Sequence, residues 1–208
     1  MKYLCIDTCG AYTAVAAVNG TNKVYDSDPA RAGGALMPML DAALGKVSLG
    51  INDLDFIAVA VGPGSFTGVR IGVTTARSLA YALSVPVVAV NTCLLAAYNS
   101  RNAVRADKTV TLSDAGNGYF FAAVYRDLKE TLAPCCLTAD ECKTLLKEHD
   151  GFFVAADETA AKAFGVEPTS GNAIIEVALE KYLRGETTDY AKIEPLYIRL
   201  SQAEKNAK

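Results

Sequence analysis

Residues 61–72 run Val-Gly-Pro-Gly-Ser-Phe-Thr-Gly-Val-Arg-Ile-Gly. A glycine-rich turn between an apolar strand and a helix can aim backbone N–H groups at an anion, which is how many folds cradle phosphate. The spacing of Gly62, Gly64 and Gly68 matches neither Gly-x-Gly-x-x-Gly nor the phosphate loop, since no Gly-Lys-Ser/Thr follows. Pro63 also removes one donor. Two uses stay open for Gly62, Pro63, Gly64, Ser65, Thr67, Gly68 and Arg70: a tight structural turn with a capped helix, which the spacing favours, or a weak nucleotide site.

Two carboxylates are the next candidates. Asp7 and Asp114 each end a short apolar strand and could pair across a cleft for phosphoryl transfer. Each could equally cap a turn, the usual role of aspartate ahead of Gly- and Thr-rich residues. Nucleophilic catalysis finds little support. Its histidine base would have to be His149, which lies between Glu148 and Asp150 and suits a solvated surface. Cysteines at 5, 9, 93, 135, 136 and 142 lack the paired Cys/His spacing of a metal site, so no metal is expected and the thiols are expected reduced. Cys135 and Cys136 have no basic neighbour in sequence to activate them.

The elements that must hold these residues follow from patterning. With 208 residues and 51% hydrophobic content the chain can bury one large core or two smaller ones. No run approaches the ~20 apolar residues of a membrane helix, no secretory signal opens the sequence, and a cytoplasmic protein is expected. Twenty basic residues against 23 acidic ones give a formal charge of −3, and no two basic residues are adjacent. A chain so charged is expected to grip RNA poorly alone, because phosphate neutralisation supplies most of such affinity.

Strands are expected at 3–6, 13–18 and 22–25, the last two joined by the Asn19-Gly20 turn signal. Further strands are expected at 56–61, apolar throughout as in a parallel strand covered on both faces, and at 86–90. Helical spacing covers 35–46, with Pro38 inside, and 66–84. Near Thr109 the pattern restarts: Asp114 aligns with Asp7, each is followed five residues later by tyrosine (Tyr119, Tyr12), and each tyrosine leads into an Ala/Val-rich strand. Such a repeat predicts two similar lobes, divided as 1–102 and 103–208. Helices at 138–149, 160–164 and 172–184, the last stopped by Gly185, and a strand at 151–155 complete the second half. The polar residues 201–208 are expected to be disordered unless a partner orders them.

The helix at 66–84 is more apolar than one sheet requires. Val69, Val73, Ala76, Ala80 and Leu83 form one stripe, and Gly68, Ile71, Gly72, Thr75, Leu79 and Ala82 a second beside it. Together they cover about 200°, whereas a helix lying on a sheet needs little more than about 100°. A further element must cover the rest, from within the chain or from a partner. The stretch Leu36, Met37, Met39, Leu40 and Ala43 is the natural candidate to share that surface, and together with Val69, Val73, Ala76, Ala80 and Leu83 it is where a partner is expected to bind.

Leu-Cys-Ile-Asp-Thr at 4–8, the segment 61–72, and Pro-Leu-Tyr-Ile-Arg at 195–199 together resemble the TsaB (YeaZ) family in order and spacing across nearly the whole chain. The resemblance implies a duplicated actin-like α/β fold of the sugar-kinase and Hsp70 class with two ribonuclease H-like lobes. It implies a non-catalytic scaffolding subunit of the machinery that makes threonylcarbamoyladenosine in tRNA, paired with the catalytic subunit TsaD through the two N-terminal-lobe helices and joined by the ATPase TsaE. A homodimer through the same surface is implied when TsaD is absent. In TsaD a His-x-x-x-His motif holds a metal, and a chain with one histidine cannot make that site. No cofactor is expected on this chain alone; ATP is expected only at a composite interface, and tRNA only through the complex. Two segments depart from the family pattern: Asp114 is followed by Ala-Gly-Asn-Gly without the arginine many members carry, and Arg-Ala-Gly-Gly at 31–34 precedes the first helix. From another functional class, a stand-alone phosphotransferase of this fold would use Asp7 or Asp114 with Mg-ATP.

Overall fold

The computed structural model describes residues 1–29 and 32–198. Its contacts divide the described residues into two compact units, one of Met1–Asn91 with Ile174–Pro195 and one of Thr92–Ala173 with residues 196–198.

Unit 1 is built on a five-stranded sheet in the order β3-β2-β1-β4-β5, with β1 (Lys2–Asp7), β2 (Thr13–Asn19), β3 (Asn22–Asp28), β4 (Phe56–Gly62) and β5 (Val87–Asn91). β1 pairs antiparallel with β2 and parallel with β4. Strand alternation sends the side chains of β1 to two faces, and both are covered. On one, Tyr3 donates its hydroxyl to Ile175 O at 3.0 Å and stacks on Phe56, whose ring stacks in turn on Tyr182, so that α6 (Ile174–Leu183) lies over this side. On the other, Ile6 meets the helix α2 (Phe66–Leu83). Burial on both faces explains why β4 is apolar at every position instead of alternating. The polar β3 closes the sheet at one edge, where exposed charge discourages further pairing. The helix α1 (Ala32–Lys46) packs on β2, β3 and α2, with Pro38 inside it.

Unit 2 repeats the pattern with four strands in the order β8-β7-β6-β9: β6 (Lys108–Gly116), β7 (Tyr119–Arg126), β8 (Lys129–Thr138) and β9 (Phe153–Ala156). β6 pairs antiparallel with β7 and parallel with β9, as β1 does with β2 and β4. Helices α3 (Thr92–Val104), α4 (Ala139–Glu148) and α5 (Glu158–Phe164) complete it. α4 begins at a capping box in which Thr138 and Glu141 satisfy each other's backbone N–H groups. The doubled order, hairpin first and parallel strand beside it, is that of ribonuclease H-like lobes and makes this a duplicated actin-like fold. The alignment of Asp7 with Asp114 is reproduced in part: Asp7 ends β1, whereas Asp114 lies two residues before the end of β6 at a bulge, and Tyr12 precedes β2 while Tyr119 opens β7.

Two expectations need amending. The units are drawn differently from 1–102 and 103–208: α3 belongs whole to unit 2, and α6 returns to unit 1 because its Ile174, Val177 and Ala178 are buried with that unit's sheet. The sequence pattern does not mark the strand β8 or the helix α3, because neither has a clean period. Arg31, Arg199 and residues 201–208 lie outside the described residues. Among the described residues, no helix is long and apolar enough to cross a membrane.

Candidate functional site

The glycine-rich segment forms the junction between β4 and α2, and its geometry is set by close contact with the end of β1. Gly64, Gly68 and Gly72 recur every four residues, which aligns them along one side of the helix entrance. That side presses on the two residues that follow β1. A Cβ at Gly68 would run into the carbonyl oxygen of Thr8, one at Gly64 into the carbonyl oxygen of Cys9, and one at Gly72 into the hydroxyl of Thr8. The donors and acceptors nearby are committed to the same contact. Ser65 N donates to Cys9 O at 2.7 Å, Thr8 Oγ1 donates to Gly68 O at 2.6 Å, and Cys9 Sγ donates to Ala60 O at 3.3 Å. Ser65 also caps α2, its Oγ accepting from Gly68 N at 3.3 Å. The Gly62–Pro63 peptide is cis and both residues are buried. Thr67 and Arg70 face solvent, and the Arg70 guanidinium lies 3.7 Å over the Phe66 ring. The motif thus forms a close-packed helix dock in which the N–H groups of Ser65 and Gly68 are hydrogen-bonded within the chain.

Asp7 sits beside this dock. Its Oδ1 accepts from Cys9 N at 2.9 Å, so it caps the turn after β1. Burial pushes its carboxyl up from the ordinary carboxylate range, against the lowering effect of the Cys9 hydrogen bonds. Burial, then the nearby Asp7 charge, likewise raises the Cys9 thiol and the Tyr25 phenol. In unit 2 Asp114 makes the corresponding cap, accepting from Gly116 N at 2.9 Å. Both acids therefore take the turn-capping role.

The other chemistry-bearing residues are equally committed. His149 ends α4 half-buried, with its ring 4.9 Å from that of Phe152. All six cysteines are free thiols. Burial pushes Cys93 up to about 12 and Cys142 up to about 11, which leaves them un-ionised at neutral pH. Among the described residues no group of three or more His, Cys, Asp or Glu side chains is placed to hold a metal ion.

The helix surface requires a correction. Leu36, Leu40, Ala43, Val69, Val73, Ala76 and Ala80 are buried inside this chain, under the sheet of unit 1 and the α1–α2 contact. Each buried valine or leucine there adds about 1.5–3 kcal/mol of burial energy to this unit. Periodicity had marked these residues as apolar without saying what covers them, and the sheet covers most. Met37 is 56% exposed, while Met39, Ile71, Thr75, Leu79 and Leu83 are half-buried. A Cβ at Gly33 of α1 would lie 4.0 Å from Ile71 Cδ1, so Ile71 flanks the helix pair at the end that carries Met37 one turn on. Sequence reasoning named Met37 and Met39 but left Ile71 and Leu79 outside its chosen surface. Their place in the second stripe was the available signal.

Comparison with known proteins gives this geometry its family. A family model described as "TsaD: tRNA N6-adenosine threonylcarbamoyltransferase" matches residues 33–162. The protein named tRNA threonylcarbamoyladenosine biosynthesis protein TsaB in Haemophilus influenzae is 28% identical over 79% of this chain and 78% of its own length. Its namesake in Bacillus subtilis is 31% identical over 81% of this chain and 80% of its own. The chain belongs to the TsaB family. The solved structure of YeaZ from Pseudomonas aeruginosa superposes with a TM-score of 0.81 at 22% identity, over 94% of this chain and 99% of that one, so the TsaB-family chain shares the YeaZ fold throughout.

Proposed function

We propose that this TsaB-family chain acts in the biosynthesis of threonylcarbamoyladenosine in tRNA as a non-catalytic scaffold that binds and supports TsaD together with TsaE. Family membership supports the pathway. The glycine dock carries the scaffolding role: the most specific segment of the sequence is spent on fixing α2 against the end of β1, which orients a helix face and does not cradle phosphate. That face presents Met37 beside the half-buried Met39, Ile71 and Leu79 as the partner surface, and a second copy of the chain occupies it when TsaD is absent. The working compartment is the cytoplasm, and tRNA is reached through the assembly.

The turn-capping use of Asp7 and Asp114 argues against a stand-alone phosphotransferase. ATP is accordingly assigned to a composite interface within the complex, and calorimetry with Mg-ATP on the isolated chain should show no binding heat. The deciding experiment mixes the chain with TsaD and follows co-elution together with threonylcarbamoyl transfer to tRNA. Met37→Glu should weaken co-elution at least tenfold while leaving the melting temperature within a few degrees, as expected of an exposed substitution. Threonylcarbamoyl transfer by the chain alone would overturn the proposal, and so would undiminished pairing of Met37→Glu with TsaD. Charged residues at Val73 or Ala76 are unsuitable probes, because they would be buried in the core and unfold it.

A further inference from the structure

In unit 2 one face of the sheet is apolar until its last row. Alternation along β6 places Lys108, Val110 and Leu112 on this face, and along β7 Phe120, Ala122, Val124 and Arg126. Val110, Leu112, Phe120, Ala122 and Val124 are core residues. The next position outward is a cation on three consecutive strands: Lys108 pairs with Arg126, and Arg126 with Lys129 of β8. All three are exposed. Neighbouring strands lie about 4.8 Å apart, so the row spans about 10 Å.

A half-buried aromatic floor supports the row. Phe152 immediately precedes β9, whose Phe153 pairs with Thr109, so Phe152 lies beside Lys108. The Arg126 guanidinium stands 4.6 Å from the Phe152 ring and the Lys108 ammonium 5.8 Å. A guanidinium held over a ring can still offer its N–H groups to an acceptor. The hairpin turn Asp127-Leu128, with both residues at positive φ, fixes Lys129 opposite Arg126. Carboxylates sit in the adjoining turns at Asp107, Asp127 and Asp150. Among the described residues none of them forms an ion pair with these cations, whereas lysine and arginine elsewhere do pair.

Like charges placed directly opposite one another destabilise a sheet. A sheet end that merely needed solvation would be served as well by mixed signs, without that penalty. Three cations in a line, none of them in a close ion pair among the described residues, suit an anion that repeats, and one free phosphate is too short to use the whole row. Because Arg126 already covers the Phe152 ring, the row offers charge and N–H groups without a platform for base stacking, which makes for contacts independent of sequence.

We propose that Lys108, Arg126 and Lys129 form a phosphate-contacting edge that takes the tRNA backbone once the chain is within its assembly, a proposal that rests on the scaffold reading above. The net charge of −3 fits this division of labour, since the edge adds to a site completed elsewhere and does not bind RNA alone.

The test replaces the row by K108Q, R126Q and K129Q together in the full chain, reconstituted with TsaD and TsaE. Co-elution of the assembly and its affinity for unmodified tRNA are measured between about 50 and 200 mM salt. Co-elution should be unchanged, affinity should fall about tenfold at 0.1 M salt, and the slope of log K against log salt should become shallower by about two to three. An intact assembly with unchanged affinity and slope overturns the phosphate edge alone. Failure of the unsubstituted chain to assemble with TsaD overturns the scaffold reading and this edge with it. If the three substitutions release the chain from phosphatidylglycerol vesicles and leave tRNA binding untouched, the edge belongs to a lipid surface and the proposal is wrong.

Discussion

The same junction occurs in both units, where the first strand of the hairpin ends beside the helix that follows its parallel neighbour, and the two are joined by different means. In unit 1 the end of β1 meets α2 through backbone contact, with glycines at 64, 68 and 72 lying against Thr8 and Cys9. In unit 2 the end of β6 meets α5 at Asp157, whose N donates to Leu112 O at 3.2 Å and whose side chain bridges the two: Oδ2 accepts from Asp114 N at 2.7 Å, while Oδ1 caps α5 by accepting from Ala160 N at 2.8 Å. Duplicated topology thus does not imply duplicated tolerance. A backbone-to-backbone dock has no room to adjust, whereas a carboxylate bridge spans a gap and can be lost without a clash.

The largest expected effect sharpens this contrast. Gly68→Ala should cost about 3 kcal/mol in urea unfolding, because the new methyl group meets a carbonyl oxygen held by the strand and not a flexible side-chain end. If Gly68→Ala is neutral, the dock is not close-packed and the comparison fails. Asp157→Ala, which removes the cap of α5 and the acceptor for Asp114 N together, should cost less, about 1–2 kcal/mol by the same assay. A loss as large as that of Gly68→Ala would erase the difference between the two junctions.

The smallest effect concerns pH. Asp7 has its folded-state pKa raised, so the folded chain favours its protonated form. Its contribution is fully present below the ordinary carboxylate pKa and is lost as pH rises through the raised value. Exposed Glu141 and Glu186, whose pKa values are lowered, act in the opposite direction, so the comparison must be made within one pair of proteins. The stability of Asp7→Asn relative to the unsubstituted chain should therefore increase between about pH 4 and pH 7. The asparagine keeps an oxygen for Cys9 N and loses the buried charge. A difference that stays flat over that range would show that Asp7 is not desolvated.

Much of this was legible in the sequence. The repeat was visible at Asp7 and Asp114 because a strand-ending aspartate and a tyrosine five residues later are local features. β4 was recognised because a strand covered on both faces has no polar side to show. What stayed hidden was the identity of neighbours. Val73 and Ala76 announce an apolar face equally whether a sheet or a partner covers it, and only the fold shows that the sheet does. The glycines were set against phosphate-binding patterns, yet their regular interval of four described a helix side that needs to be bare. The return of α6 to unit 1 leaves no mark on its own periodicity, since an amphipathic helix does not record which sheet it will meet. The cation row was likewise invisible, because Lys108, Arg126 and Lys129 become adjacent only through strand register.

The aromatic stack of Tyr3, Phe56 and Tyr182 joins the beginning of the chain to a helix made close to its end. During translation at about 5–20 residues per second, the apolar underside of the first sheet therefore stays uncovered while the whole second unit is synthesised, on the order of ten seconds. Tyr3 and Phe56 therefore wait for α6 to cover them, and a chain lacking the residues from 174 onward would leave that side of the sheet open.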